Sequence, residues 1–318
     1  MKRRKIERGI PVNTTEKTLS DLCDLAFLKL WSFPNPYKEP GKELCDVLVV
    51  FDNNIIIFSV KNIKYNENKG LAGWQRWKRK AIDESITQIN GAEKWIKNHP
   101  DQIYLNKNCN TIIPINSKKK FKIYRIVVAH GISDSIANIP GNTSGSLGIK
   151  YSDNNDFEDV QYFVELPKSP IYHILDSANL EILLKELDTI TDFINYLKEK
   201  EKAIKLSKIV TYTGEEDVMG QYLRTIEPET GKHYILKDKN KDLIVDFENM
   251  IWKNFSNSYE YKEKKILDKS SYLWDKYLQQ LCEYALNGEL TGNIDIFQES
   301  SPIKEMAKES RFYRRILS

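Results

Sequence analysis

Three polar side chains stand in two apolar stretches of the sequence. Asp46 precedes the run Val-Leu-Val-Val-Phe, and Ser59 and Lys61 lie within the run Ile-Ile-Ile-Phe-Ser-Val-Lys. A charge inside an apolar strand costs free energy unless it is paired or binds a metal ion. Carboxylate oxygens are ligands that Mg²⁺ prefers, and a lysine near a metal-activated water can assist its deprotonation. Asp46 is therefore the candidate metal ligand and Lys61 the candidate catalytic lysine.

The two stretches must be adjacent strands for these residues to meet. Asp52-Asn53-Asn54 separates them, and Asn and Asp favour tight turns because they tolerate left-handed backbone. The pattern predicts a hairpin of residues 42–51 and 55–61. Side chains alternate between the faces of a strand, so Ser59 and Lys61 share a face.

This arrangement resembles the PD-(D/E)XK nuclease superfamily, which includes restriction endonucleases and RecB-like nucleases. In that family an Asp starts one strand and an acid-X-Lys triplet ends the next; the matching residues here are Asp46 and Ser59-Val60-Lys61, with Cys45 at the loosely kept Pro. The resemblance implies Mg²⁺- or Mn²⁺-dependent cleavage of phosphodiester bonds, in DNA. It also implies that the backbone carbonyl of Val60 contacts the metal. Ser59 departs from the family pattern, which has Asp or Glu there.

Another acid could replace the carboxylate that Ser59 lacks. Glu16 opens the first predicted helix, where many family members place a metal-site glutamate, although Asn13-x-x-Glu16 is also a capping-box pattern. Glu84 is the second candidate, as a carboxylate moved onto the following helix. Glu43 ranks below both, because strand alternation from Asp46 turns it to the opposite face.

A helix is predicted from about Trp74 to Asn98. On a wheel of about 100° per residue, Glu84 and Gln88 fall in the same partly apolar stripe. Gln88 resembles the glutamine on the helix after the catalytic lysine of RecB-like nucleases. The start of this helix carries a basic cluster that the sequence offers for nucleic-acid binding, and its members are Arg76, Lys78, Arg79 and Lys80.

Further elements follow from hydrophobic periodicity and turn residues. The predicted helices after residue 160 cover residues 180–202, 272–287 and 303–317, and the predicted strands cover residues 121–129 and 162–166. Residues 1–12 are expected to form a mobile basic tail and residues 138–159 a long loop. The predicted fold is α/β with a restriction-endonuclease-like core, a central mixed sheet flanked by helices, and an α+β C-terminal half. The domains expected are 1–137 and 160–318, the second able to complete the first.

Composition sets broader limits. The 318 residues carry a net charge of +3, too small in itself to indicate nucleic-acid binding. The four cysteines have no CxxC spacing, which favours reduced core thiols over disulfides or a zinc site. No apolar run reaches transmembrane length, so a cytoplasmic protein without a membrane partner is expected.

Three functions remain open at this stage. The first is a metal-dependent nuclease acting in bacterial defence or repair. The second is a nuclease-like fold that binds nucleic acid without cutting it, which Ser59 would permit. The third is a structural protein, in which the C-terminal half supports a homodimer or binds a protein partner.

Overall fold

The computed structural model describes residues 5–116, 120–139, 144–153, 160–237, 243–289 and 302–318. The strands in chain order are β1 (Ser32–Pro34), β2 (Tyr37–Glu39), β3 (Lys42–Glu43), β4 (Val47–Phe51), β5 (Asn54–Asn62), β6 (Lys122–His130), β7 (Gly148–Tyr151), β8 (Phe163–Leu166), β9 (His173–Asp176), β10 (Ile209–Thr213) and β11 (Ile244–Asp246). The helices are α1 (Thr14–Phe27), α2 (Gly70–Lys78), α3 (Glu84–Asn98), α4 (Ser133–Ala137), α5 (Leu180–Glu186), α6 (Ile190–Leu206), α7 (Glu215–Arg224), α8 (Ile251–Asn257), α9 (Tyr259–Leu286), α10 (Pro302–Ala307) and α11 (Arg311–Leu317).

A five-stranded mixed sheet lies at the centre, in the order β1-β4-β5-β6-β9. The strands β1, β4 and β5 are antiparallel, whereas β6 and β9 run parallel to β5. Parallel strands need a crossover connection, and α2 and α3 supply it between β5 and β6. All five residues of β4 are buried, as in a strand covered on both faces. The predicted α/β class with a mixed sheet flanked by helices is confirmed.

The predicted hairpin is present, with a shorter first strand. The ladder of β4 and β5 closes at Phe51 and Asn54, so Asp52 and Asn53 form the turn, and Asp52 has φ 52°. The prediction that the first strand begins at Lys42 is wrong, because β3 pairs with β2 in a separate ribbon. A left-handed Gly41 (φ 74°) lies in the turn that joins β2 to β3.

Helix α1 begins where the sequence predicts it. The Asn13 side chain accepts a hydrogen bond from the Glu16 amide, as an N-cap does. The expectation of a mobile tail is wrong for residues 6–8, since the Ile6 amide donates to the Leu286 carbonyl and Arg8 pairs with Asp24. Residues 1–4 lie outside the described residues.

A π turn interrupts the helical region between β5 and β6. It covers Arg79–Asp83, between α2 and α3. A π turn carries an extra residue, so it rotates the following helix relative to the preceding one. The single wheel drawn through this region therefore does not hold across the turn.

The C-terminal segment forms a second sheet and several helices. The order of this four-stranded sheet is β11-β10-β7-β8. The expectation of a loop over 138–159 is wrong at β7, and residues 140–143 and 154–159 lie outside the described residues. The predicted strand at 162–166 is present as β8, whereas α7 was not predicted.

Three predicted helices differ in extent from the structure. The one at 180–202 is two helices, because Thr189 caps α6 by accepting from the Asp192 amide. The one at 272–287 begins at Tyr259, and the one at 303–317 is divided into α10 and α11. Arg311 joins these parts by pairing with Asp188 and Asp275.

One hydrophobic cluster contains residues from both halves of the chain. Phe27 of α1 packs against Phe58 of β5 and Phe193 of α6, at ring distances of 6.4 and 5.0 Å. The division into domains 1–137 and 160–318 stays a prediction. All four cysteines are free thiols; Cys23, Cys45 and Cys282 are buried, as predicted for core thiols, whereas Cys109 is half-buried. Within the described ranges, no helix combines the length and the apolar character needed to cross a bilayer.

Candidate functional site

The β4–β5 hairpin brings Asp46 close to Ser59. The ladder ends where Val47 pairs with Phe58, and the Asp46 amide donates to the same Phe58 carbonyl at 3.3 Å, so Asp46 lies just beyond the end of the ladder. Lys61 lies two residues after Ser59 on the same face of β5. Its charge acts on Asp46, so the two charged groups are near each other.

Asp46 is buried, and both of its carboxylate oxygens accept hydrogen bonds. The Val60 amide donates to Oδ2 at 2.6 Å, and the Gln88 side-chain amide donates to Oδ1 at 3.2 Å. Burial raises the pKa of Asp46, the hydrogen bond from Val60 and the charge of Lys61 lower it, and the charge of Glu16 raises it. Each carboxylate oxygen has a second lone pair, so a further ligand can still bind.

Gln88 connects Asp46 to Ser59. The Ser59 hydroxyl, which is fully buried, donates to Gln88 Oε1 at 2.9 Å, and the Nε2 of the same amide donates to Asp46. The reverse orientation of the amide would place its oxygen against the carboxylate, so the three side chains fix one another. The predicted placement of Gln88 beside the site is confirmed, and its role stays a prediction.

Glu84 is exposed, so the expectation that it shares a partly apolar stripe with Gln88 is wrong. The buried line of α3 after the π turn runs through Ser85, Ile89 and Ile96. At about 100° per residue, Gln88 lies on the border of that line and Glu84 lies about 40° further towards solvent. The acid moved onto this helix therefore does not lie in the site.

Glu16 lies near Asp46 but serves the cap of α1. Its Oε1 accepts from the Asn13 side chain at 2.6 Å and its Oε2 accepts from the Val12 amide at 2.8 Å. Half of the capping-box pattern is thus present, because Asn13 caps the Glu16 amide, whereas the Glu16 carboxylate accepts from the Val12 amide and not from the backbone amide of Asn13. The charge of Glu16 nevertheless acts on Asp46 and raises the pKa of that carboxyl group.

Sequence reasoning missed Asn35, which joins the site from the β1–β2 connection. It is 1% exposed with φ 42°, and its amide donates to the Asp46 carbonyl at 2.9 Å. Its Nδ2 lies 3.4 Å from carboxylate oxygens of both Glu16 and Glu43, so Glu43 is on the Glu16 side of the site. The sequence Pro34-Asn35-Pro36 could have indicated this turn, because Asn tolerates the left-handed backbone conformation. The Oδ1 atom of Asn35 is buried without a hydrogen-bond partner.

Lys61 is half-buried and makes no ion pair within the described ranges. A groove of about 640 Å³ begins at the next residue, Asn62. Four basic side chains line it against one acidic side chain, Glu67; the basic ones are Lys64, Lys69, Arg76 and Lys80. Two members of the predicted basic cluster thus line this basic groove. The other two, Lys78 and Arg79, do not line it.

In the part of the chain that the structure describes, no three His, Cys, Asp or Glu side chains are grouped as a metal site. The oxygen donors near β5 are the Asp46 carboxylate, the Val60 carbonyl and the carboxylate of Glu16. Magnesium takes one or two carboxylates and keeps several waters, so this hard donor set fits Mg²⁺ or Mn²⁺ better than a softer metal. Searches against protein-family models, curated proteins and solved structures found no match to this chain.

Proposed function

We propose that this protein is a metal-dependent nuclease that hydrolyses phosphodiester bonds in DNA. The observation that carries the proposal is the group formed by Asp46, Gln88 and Ser59, with Lys61 on the same strand face. The buried acid is held in one orientation, and the lysine has no structural ion pair in the described ranges. An acid and a free cation side by side are what metal-assisted phosphate chemistry requires.

Asp46, the Val60 carbonyl and Glu16 would hold the metal ion. Burial makes the negative charge of Asp46 costly, and a cation bound there would offset that cost. When bound, Mg²⁺ activates a water and neutralises charge on the phosphate.

The protein residues orient these groups. Gln88 holds the Asp46 carboxylate through Oδ1, and Ser59 holds the Gln88 amide in turn. Lys61 can place its ammonium group against the phosphate and stabilise the charge that develops there. Because Asp46 and Gln88 have fixed partners, little reorganisation is needed when substrate binds.

The basic groove offers a path for the nucleic-acid backbone. Its excess of basic side chains attracts phosphates, and its lining begins one residue after Lys61. The groove also contains Trp77, whose indole nitrogen donates to the Ile63 carbonyl at 2.9 Å and so fixes the wall.

Plasmid and oligonucleotide cleavage with Mg²⁺ or Mn²⁺ tests the proposal, with Lys61→Ala beside the wild type. Lys262 is exposed on α9, far along the chain from the hairpin, and Lys262→Ala is the matched control. We expect cleavage by the wild type and by the control and a loss of at least about a hundredfold in Lys61→Ala, as for loss of one charge-stabilising group. Equal rates in all three proteins would refute the role of Lys61.

Binding without cleavage is the second candidate, because Ser59 occupies the position of an expected carboxylate. Its hydroxyl is already used as a donor to Gln88. A wild-type protein that binds DNA but cuts no nucleic acid with any divalent metal would favour this alternative. Gel-shift measurements on the same samples separate the two functions.

A further inference from the structure

A second cavity lies among β7, β8, β10, α7 and α8, and it has a volume of about 450 Å³. This volume is in the range of small-molecule sites. We call it the Glu216 cavity. Its walls combine apolar and aromatic side chains with a few polar groups; the lining includes Ile139, Ser146, Phe163, Ile182, Glu216 and Trp252.

Glu216 is the unusual member of this lining. It is 4% exposed, the Ser146 hydroxyl donates to its Oε1 at 2.7 Å, and its Oε2 has no hydrogen-bond partner. Gly214 has φ 91°, and a Cβ there would lie 2.5 Å from the carboxylate, so the glycine leaves room for this acid. A buried polar atom without a partner is costly, which suggests that a ligand supplies the partner.

The neighbouring acids differ from Glu216 because backbone amides satisfy them. Asp176 accepts from the amides of Leu147 and Ala178, and Asp217 accepts from those of Met250 and Trp252. These two aspartates therefore hold the walls of the cavity. Glu216 is the acid left with an unpaired oxygen.

Burial and the charge of Asp176 raise the pKa of Glu216 to about 8, which favours the neutral form of its carboxyl group near pH 7. Because Oε1 accepts from Ser146, the proton belongs on Oε2, where it can be donated to a ligand. A neutral carboxyl group presents one donor and one acceptor side by side.

We propose that the Glu216 cavity binds a nucleobase through an edge that sets a hydrogen-bond donor beside an acceptor. Adenine and cytosine offer an amino group beside a ring nitrogen, and guanine and uracil offer a ring N–H beside a carbonyl oxygen, so each complements a neutral carboxyl group. The flat faces of a base suit the apolar and aromatic walls provided by Phe163, Trp252 and Ile182.

Contacts link this cavity to the basic groove. Tyr162 and Gln161 line the Glu216 cavity, and Tyr65 lines the groove. The Gln161 side chain donates to the Tyr65 hydroxyl at 2.7 Å, and the rings of Tyr65 and Tyr162 lie 5.9 Å apart. A base turned out of a strand in the groove would meet this wall first. The entry of a base from a nucleic-acid strand into the Glu216 cavity rests on the proposed function, whereas the binding of a free nucleoside there does not.

Calorimetric titration of the full chain with adenosine, cytidine, guanosine and uridine, without metal, tests the proposal. We expect at least one of the four nucleosides to bind with a dissociation constant in the millimolar range or below. Glu216→Met should weaken this binding at least about tenfold, since one lost hydrogen bond is worth about that ratio. Because this variant also removes the acceptor of the Ser146 hydroxyl, circular dichroism of the same sample checks that it is folded. Glu216→Gln, which keeps a donor and an acceptor, should retain binding. The control is Glu229→Gln at an exposed position.

A strand containing 2-aminopurine distinguishes the two sources of the base. A fluorescence change on binding that Glu216→Met abolishes indicates a base taken from the strand, and nucleoside binding without that change indicates a free nucleoside. Both results support the cavity as a base site. No nucleoside binding at millimolar concentration together with no fluorescence change, or unchanged affinity in Glu216→Met, overturns it. Because no metal is present, a wild type that fails to cleave DNA leaves these outcomes unaffected.

Discussion

Replacing Asp46 by Asn should remove activity and leave the fold nearly intact. The new side chain can accept from the Val60 amide through its oxygen, but its NH₂ group then faces the Nε2 of Gln88. Rotating the Gln88 amide by 180° resolves this conflict, since its oxygen then accepts from the new amide and its Nε2 donates to the Ser59 hydroxyl. Every buried group keeps a partner.

The expected energies separate Asp46→Asn from Asp46→Ala. In Asp46→Asn, replacing charge-assisted hydrogen bonds by neutral ones lowers the stability by about 1 kcal/mol per bond. Removing the buried charge offsets part of this loss, because the charge itself is costly to bury. We expect Asp46→Asn to cost about 1 kcal/mol or less. Asp46→Ala leaves the buried Val60 amide unpaired, which costs about 1–3 kcal/mol, whereas half-buried Gln88 can turn to water.

Urea unfolding followed by circular dichroism measures both variants, and cleavage is assayed on the same samples. Because the folded-state pKa of Asp46 is raised, the folded protein binds the proton more tightly than the unfolded chain. Stability contributed by this group is therefore present below its usual pKa of about 3.9 and is lost as the pH rises through the raised value. The free energy of unfolding of Asp46→Asn should therefore be closer to that of the wild type at pH 7 than at pH 4. Equal destabilisation by Asn and Ala at pH 7 would refute the rotation of Gln88.

Three further predictions concern the surrounding charges. Arg76→Ala and Lys80→Ala should each lower the slope of log K against log salt for DNA binding by about 1, as loss of one phosphate contact does. Glu16→Gln should keep the cap of α1 and lower metal-dependent cleavage at least about tenfold, whereas Glu84→Gln should leave cleavage unchanged because Glu84 is exposed. Glu216→Gln should become more stable relative to the wild type as the pH rises from about 4.5 to about 8, because an acid with a raised folded-state pKa loses stability over that window.

Each of these predictions has a contradicting result. An unchanged salt slope would show that the basic groove does not contact the nucleic-acid backbone, and Lys262→Ala is the control for it. Full cleavage by Glu16→Gln would remove Glu16 as the replacement acid and leave Asp46, the Val60 carbonyl and water. A stability difference for Glu216→Gln that does not change with pH would show that Glu216 is ionised in the folded state.

The strands and caps near the site were predictable because their signals are local. Alternation and β-branched residues define the hairpin, and Asn13 identifies the start of α1 three residues before Glu16. The position of Gln88 was predicted from its resemblance to the glutamine on the corresponding helix of RecB-like nucleases, and the structure places it beside Asp46. The hairpin and the cap need no knowledge of distant contacts.

The sequence-based predictions fail where contacts between distant parts of the chain determine the position of a residue. Neither composition nor periodicity indicates the π turn at Arg79–Asp83. That turn determines the rotation of α3 about its axis, and as a result Glu84 is exposed to solvent. Asn35 reaches Asp46 only because it adopts a left-handed conformation between two prolines. The connection from Gln161 to Tyr65 spans 96 residues, so no sequence window contains it.

Buried charges in this protein fall into two kinds, and the difference identifies the sites. Lys200 and Glu215 are both buried and pair with each other, and the hydroxyl groups of Tyr196 and Tyr212 complete their shell. Such a pair is self-sufficient and needs no ligand. Asp46 and Glu216 are buried acids with raised pKa values and no cation bonded to them in the described structure. A buried acid without a bonded cation is costly to keep unless a ligand meets it. Asp176 and Asp217 are also buried acids with raised pKa values, but each accepts hydrogen bonds from several backbone amides. Asp46 lies near the charge of Lys61, and Glu216 keeps an unpaired Oε2, so these are the two acids for which we propose a metal ion and a base as ligands.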